Sequence, residues 1–255
     1  MCRPIALLFC LLASLASLGD AQDSPAKKKD SKAKGADALS KSLAASGPAR
    51  LNLQPGVEQT LDIVYANYGD RQLKLDWFSR RGTQRRPAVI VVHGGGWKSG
   101  DRTRFHPLAG ELANRGYATF AVEYRLSGEA PFPAAIHDCF AAVRFVRANA
   151  KKFNIDPDQI VAVGGSAGGH LVGLMATASH VPKMLGDGGS ADVSSEIQAA
   201  VVMAGPMQLA TGPVADRSRA DAKSNANLWI GQTVDQAPDA YRFASPETHL
   251  SKQTC

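Results

Sequence analysis

The chain has 255 residues, 44% hydrophobic and 20% charged, which is enough apolar material for one sizeable core and excludes a disordered or collagen-like polymer. Four cysteines in this length exclude a disulfide-framework miniprotein. The net charge of +6 is unevenly placed: residues 1–50 hold 8 Lys/Arg against 4 Asp, whereas residues 51–255 hold 21 basic against 19 acidic side chains. The near-neutral body argues against a nucleic-acid partner, and the basicity belongs to a tail.

The N-terminus has the pattern of an export signal. Arg3 supplies the positive start, residues 5–18 are apolar with small serines, and Gly19-Asp20-Ala21 offers small residues for cleavage after Ala21. The apolar run is shorter than the ~20 residues of a membrane span, so stable membrane insertion is not expected. Removal of residues 1–21 takes Cys2 and Cys10, leaving Cys139 and Cys255, and no CxxC spacing points to a metal site. Residues 22–50 mix Lys, Ala, Ser and Asp with few large apolar side chains, the composition of a solvated, flexible tether. Its lysine cluster touching an acidic polymer or lipid headgroups is the weaker alternative.

Residues 51–255 carry the pattern of a folded domain. Residues 61–65 and 73–78 flank the turn Tyr68-Gly69-Asp70 and predict an antiparallel hairpin. Ala88-Val89-Ile90-Val91-Val92 is apolar at every position, as a central parallel strand buried on both faces requires. A helix is expected over 107–115, a strand over 118–124 and, from Pro133, a helix whose Ile136, Phe140, Val143 and Val146 share one face. Cys139 falls inside that helix as a small core residue. A strand over 160–163, a sharp turn over 164–169, a helix over 170–179 and a buried strand over 199–204 follow. Strands alternating with helices specify an α/β fold with a mostly parallel twisted sheet and helices on both faces.

Two stretches carry chemistry. Gly164-Gly165-Ser166-Ala167-Gly168 lies between a strand and a helix, the context that a nucleophile elbow needs. The tight turn strains the serine backbone, lifts its hydroxyl above the sheet edge and places the positive end of a helix beneath it. A phosphate-holding βα turn fits less well, because neither G-x-G-x-x-G nor G-K-[ST] is present. His93-Gly94-Gly95-Gly96-Trp97 ends an earlier strand. Three consecutive glycines suit main-chain N–H groups that must point unobstructed at developing negative charge. The Gly95, Gly96 and Ala167 amides are thereby candidates for an oxyanion hole. His93 is expected to organise the loop, and Trp97 either walls a pocket or packs in the core.

These stretches, with Tyr124-Arg125-Leu126, Pro133-Ala134-Ala135-Ile136-His137-Asp138, the continuation Gly169-His170-Leu171 and Ser245-Pro246-Glu247-Thr248-His249, give the chain its family likeness. Over about residues 55–253 it resembles the α/β-hydrolase esterase/lipase group that includes hormone-sensitive lipase and bacterial polysaccharide-side-chain esterases. The resemblance implies cleavage of a carboxylic ester through an acyl-serine on Ser166, without a metal or organic cofactor. It also implies as substrate a small acyl ester, on a carbohydrate by family analogy. A serine hydrolase with exopeptidase-like activity is an alternative on the same fold.

The triad order is Ser, then Asp or Glu, then His. In the family, the Ser-Pro-x-x-His segment precedes further strands that carry the acid and the base, so both partners are expected to be missing here and the domain to be truncated. His170 is expected to pack or cap, His180 to lie at the surface, and His249, with Asp235 or Asp239 upstream, to correspond to a non-catalytic histidine. A catalytically impaired remnant or binding module is therefore the second reading. The strand over 199–204 would then be an apolar sheet edge. Asp138 is expected to pair structurally with Arg144 or Arg147, and Tyr124-Arg125 to brace the loops.

Overall fold

The computed structural model describes residues 51–252 and 254–255; the expected signal (1–21) and tether (22–50) lie outside the described residues. Strands β1 (Val57–Tyr68) and β2 (Arg71–Arg80) form the expected hairpin, with Tyr68 opposite Arg71. Two register shifts interrupt β1, and at the first Asp62 takes φ 59° and donates its amide to Asp76 Oδ1 at 2.8 Å. Strands β3 (Arg86–Val92), β4 (Ala118–Val122), β5 (Ile155–Gly165) and β6 (Ala199–Met203) complete a six-stranded sheet in the order β1-β2-β4-β3-β5-β6. The last four strands in that order run parallel, and β2 joins β4 antiparallel.

Ala88 to Val92, an uninterrupted apolar run, and every residue of β4 are buried, as central strands covered on both faces must be, and the Thr119 hydroxyl in β4 donates to the Ala109 carbonyl at 2.9 Å. Strand β6 differs from the expected buried strand. It pairs only with β5 among the described strands, its residues are partly exposed, and Val202 is 37% exposed. Its apolar composition serves one packed face, and its outer edge is open among the described residues.

The helices are α1 (His106–Asn114), which follows a 3₁₀ turn at Arg102–Phe105, α2 (Ala134–Ala148), α3 (Ala150–Phe153), α4 (Ala167–Thr177) and α5 (Pro182–Leu185). Beyond β6 come α6 (Gly212–Ala220), α7 (Asn225–Ile230), α8 (Pro238–Phe243) and a 3₁₀ turn at Pro246–His249. Helix α2 buries Ile136, Cys139, Phe140, Val143 and Val146 at helical spacing. Helix α4 is buried on all sides and starts at Ala167, three residues before the expected position, because the glycines after Ser166 are already helical. Helices α6 to α8 were not anticipated. They are short, and α6 is mostly polar, yet Trp229 and Tyr241 within this segment are fully buried.

The order of the strands places the functional loops. From β3 the chain moves to β4 on one side, then crosses back to β5 and on to β6 on the other. Right-handed crossovers put α1 on one face and α2 and α4 on the opposite one. The reversal leaves a crevice at the carboxyl ends of β3 and β5, where open α/β sheets bind ligands. Val92 pairs with Gly164 there, so the loop after β3 and the turn after β5 start side by side.

One expected pairing is corrected. Asp138, fully buried on α2, accepts bonds from Arg125 Nη2 at 2.7 Å and from the Arg125 amide at 2.8 Å, not from Arg144 or Arg147. Those two arginines donate instead to main-chain carbonyls, Arg144 to Leu185 and Gly188 and Arg147 to Pro157, Ser194 and Glu196. Arg144 and Arg147 stand six and nine residues along α2, too far around the helix to face Asp138, whose carboxylate points to the strand end that carries Arg125. Tyr124-Arg125 is a brace as expected: Tyr124 Oη donates to the His93 carbonyl, and the Arg125 guanidinium also covers the Tyr68 ring.

Candidate active site

Ser166 stands alone between β5 and α4 with φ 54° and ψ −121°, a conformation costing a non-glycine residue about 1–3 kcal/mol. Its main chain is held on both sides: its amide donates to the Met203 carbonyl at 2.8 Å, and its carbonyl accepts the His170 amide at 2.9 Å. The side chain is exposed. The turn can be this tight because Gly168 lies against the end of β3, where a Cβ would meet Val92 O at 2.2 Å and His93 O at 2.5 Å. A hydroxyl on a strained tip at the start of a helix faces the positive end of that helix.

The glycine loop meets this turn directly. A Cβ on Gly94 would lie 2.7 Å from Gly165 O and 3.3 Å from Ser166 Cβ, so only glycine allows the approach. The next two residues, Gly95 (φ 132°) and Gly96 (φ 62°), take backbone conformations that side chains rarely tolerate. The amides of Gly95, Gly96 and Ala167 donate to no acceptor among the described residues. Unclaimed N–H groups beside an exposed hydroxyl are the materials of an oxyanion hole.

The loop is anchored at both ends. His93 is buried, stacks on Tyr124 with ring centroids 4.3 Å apart, and donates from Nδ1 to the Gly94 carbonyl at 2.9 Å. Burial pushes its pKa down to about 4, so it is a neutral structural ring, as expected of a loop organiser. At the far end, Arg102 donates from Nε to Asp76 Oδ2 at 2.7 Å and from Nη2 to Asp62 at 2.5 Å, with Glu123 Oε2 at 3.3 Å from Nη1. His106 Nε2 lies 2.7 Å from the same Asp76 oxygen. Burial of Asp76 raises its pKa, but bonds from His106, the Asp62 amide and Arg102 outweigh it and hold the carboxyl below its ordinary range. Sequence reasoning missed this anchor, although Asp76 was visible as a lone acid among Leu75, Trp77 and Phe78.

None of the six histidine side chains is hydrogen-bonded to the Ser166 hydroxyl. His170 is fully buried, with Nε2 donating to the Ala244 carbonyl at 2.7 Å and its ring edge-on to Trp97 and Trp229. Burial pushes its pKa down to about 4. His249 Nε2 donates to the Phe243 carbonyl at 2.7 Å, and His180 is exposed. His137 lies 3.0 Å from the Lys183 carbonyl, and His106 belongs to the Asp76 cluster. Asp235 and Asp239 are exposed and paired with Arg219 and Arg242. Among the described residues no group of three His, Cys, Asp or Glu side chains is placed to hold a metal ion.

Trp97 answers to both expectations. It is buried and stacks on Trp229 at 4.9 Å, and it also lines a cavity of about 270 Å³ beside Gly96. Asn225, at the start of α7, closes over Gly96, where a Cβ would lie 2.1 Å from Asn225 Nδ2. No sequence signal pointed to Asn225.

A mostly parallel sheet with a strained serine after β5 and a glycine loop after β3, meeting at the reversal point, defines the α/β-hydrolase fold. The BD-FAE family model matches residues 75–255, and the chain belongs to that family. Its curated relatives include the probable carboxylic ester hydrolase LipM of Mycobacterium tuberculosis, 32% identical over 206 residues, which cover 74% of this chain and 44% of LipM. Esterase LipQ of the same organism is 36% identical over 146 residues, 56% of this chain and 34% of LipQ. The chain thus spans less than half the length of these relatives. Among solved structures, a truncated form of a carbohydrate esterase from gut microbiota superposes with a TM-score of 0.68 at 26% identity, covering 82% of this chain and 77% of that one. A bifunctional GH43-CE protein of Bacteroides eggerthii gives a TM-score of 0.68 at 28% identity, covering 77% of this chain and 27% of that one.

Proposed function

We propose that the protein is a serine carboxylic-ester hydrolase. Ser166 Oγ adds to the ester carbonyl, the Gly95, Gly96 and Ala167 amides hold the resulting oxyanion, and collapse expels the alcohol to leave an acyl-serine that water then cleaves. The observation that carries this reading is the exposed Ser166 at φ 54°, packed against Gly94, with the Ala167, Gly95 and Gly96 amides unused by any other acceptor among the described residues. The names of LipM and LipQ support ester hydrolysis, and the two carbohydrate-esterase neighbours support a small acyl group on a carbohydrate as substrate. The test is turnover of 4-nitrophenyl acetate. Ser166→Ala should lower it by a factor of about 10³ or more, and a variant that retains activity removes the assignment.

A second reading rests on the histidines, each of which is turned to another partner or lies at the surface. With a hydroxyl and an oxyanion hole but no described base, the protein is an impaired hydrolase or a binder of acylated ligands. Residual acceleration over water would then be about 10³–10⁴-fold. His249→Ala separates the cases. Activity per folded molecule stays near its starting level if His249 only braces Phe243, and a loss of several orders of magnitude makes it the base. We also propose export, supported by Arg3 and the apolar run over 5–18; N-terminal sequencing of secreted protein beginning at Gln22 tests it.

A further inference from the structure

The cavity beside the glycine loop has a chemistry that ester hydrolysis alone does not require. It is lined by Trp97 and by Val214, Arg217, Lys223, Asn225 and Ala226 from α6, α7 and the connection between them. Arg217 and Lys223 are exposed, and no carboxylate among the described residues pairs with either side chain. The neighbouring cations behave differently: Arg219 pairs with Asp216 and Asp235, and Arg242 with Asp239. Asp221, also on the wall, accepts the Lys223 amide through Oδ1. Two cations without a carboxylate partner thus line one cleft with Trp97, against the single carboxylate of Asp221, so the lining carries a net positive charge.

The cleft adjoins the reaction centre. Gly96, against which Asn225 packs, is two residues from Gly94, and Gly94 lies against Ser166; two residues of chain span at most about 7 Å. A volume of about 270 Å³ suits a single ring and its substituent rather than a long acyl chain. We propose that this cleft is an anion subsite that selects esters carrying a carboxylate one ring away from the scissile carbonyl, such as an acylated aromatic acid or sugar acid, with Arg217 and Lys223 binding the carboxylate and Trp97 supporting the ring. The inference rests on the esterase reading for its substrate and on the cleft alone for its charge preference. Charge steers and selects such ligands more than it tightens them, so the expected discrimination is modest and salt-dependent.

The test has a catalytic arm and a binding arm, both on the full chain. In the first, kcat/KM for 4-acetoxybenzoate is divided by that for its neutral methyl ester. Arg217→Gln/Lys223→Gln should lower this ratio about fivefold to tenfold at low salt, and Arg217→Glu/Lys223→Glu should lower it further. A ratio unmoved by either variant overturns the proposal. In the second arm, Ser166→Ala protein is titrated with 4-hydroxybenzoate and 4-hydroxybenzamide by ligand-observed NMR. The subsite requires tighter binding of the carboxylate, weakened by 0.5 M NaCl and lost in the double variant; equal binding of the two ligands overturns it. If the protein cleaves neither ester but shows the carboxylate preference in binding, the esterase reading fails and the anion subsite stands.

Discussion

Ser166 pays for its exposure with backbone strain, and the residues around it exist to hold that strain in place. Gly168→Ala should put a methyl group into the Val92 and His93 carbonyls, destabilise the fold by about 3 kcal/mol or more, and show this as a lowered denaturant midpoint. The buried histidines give the residue scale a pH signature. His93 and His170 stay neutral in the fold with pKa values near 4, against 6.5 when unfolded. As pH falls from about 6.5 to 4 the unfolded chain binds protons that the folded chain refuses, so stability is full above that window and drops by up to about 3 kcal/mol per histidine within it. Urea unfolding at pH 7.5 and 4.5 measures the drop, and His170→Gln should make it smaller; an unchanged pH slope would show that His170 does not carry it. These two rings were readable as structural from their places beside the motifs, whereas their hydrogen-bond partners, Gly94 and Ala244, were not, because Ala244 reaches His170 only through the tertiary fold.

At the scale of elements, what the sequence made legible were the parts with strong local rules. The uninterrupted apolar run Ala88-Val89-Ile90-Val91-Val92 marked β3, and the glycine pattern marked the turn between β5 and α4. Helices α6 to α8 escaped because they are short and their apolar residues are few; Trp229 and Tyr241 are buried by packing with Trp97 and by a hydroxyl network with Ser218 and Asn227, which no periodicity announces. Ion pairing escaped for a related reason. Asp138 shares its helix with Arg144 and Arg147, but they lie six and nine residues on, off its face, and Arg125 at the end of the preceding strand supplies the partner instead. Since Asp138 is fully buried, Asp138→Ala should leave the Arg125 guanidinium without its partner and cost about 3 kcal/mol, read as a fall in thermal midpoint, while Arg147→Ala leaves that pair intact. Equal destabilisation by Asp138→Ala in wild type and in an Arg125→Ala background would show that the pair is not coupled.

The sheet of the described residues has a strand order that brings two loops together at one point, with β6 paired to β5 alone. The degree of burial along β6 was not legible in the sequence, because an apolar run does not reveal how many of its faces are covered. Val202 is 37% exposed there, so Val202→Lys should reduce concentration-dependent aggregation with little change in thermal midpoint; unchanged aggregation would clear this edge of blame. The central claim is that this architecture presents Ser166 as a nucleophile to an ester. It is tested most directly by treating the folded protein with a fluorophosphonate and mapping the adduct by peptide mass spectrometry. The account predicts a single stoichiometric adduct on Ser166 that forms faster than on a denatured control. No adduct, or one on another residue at the same rate in the Ser166→Ala variant, would contradict it.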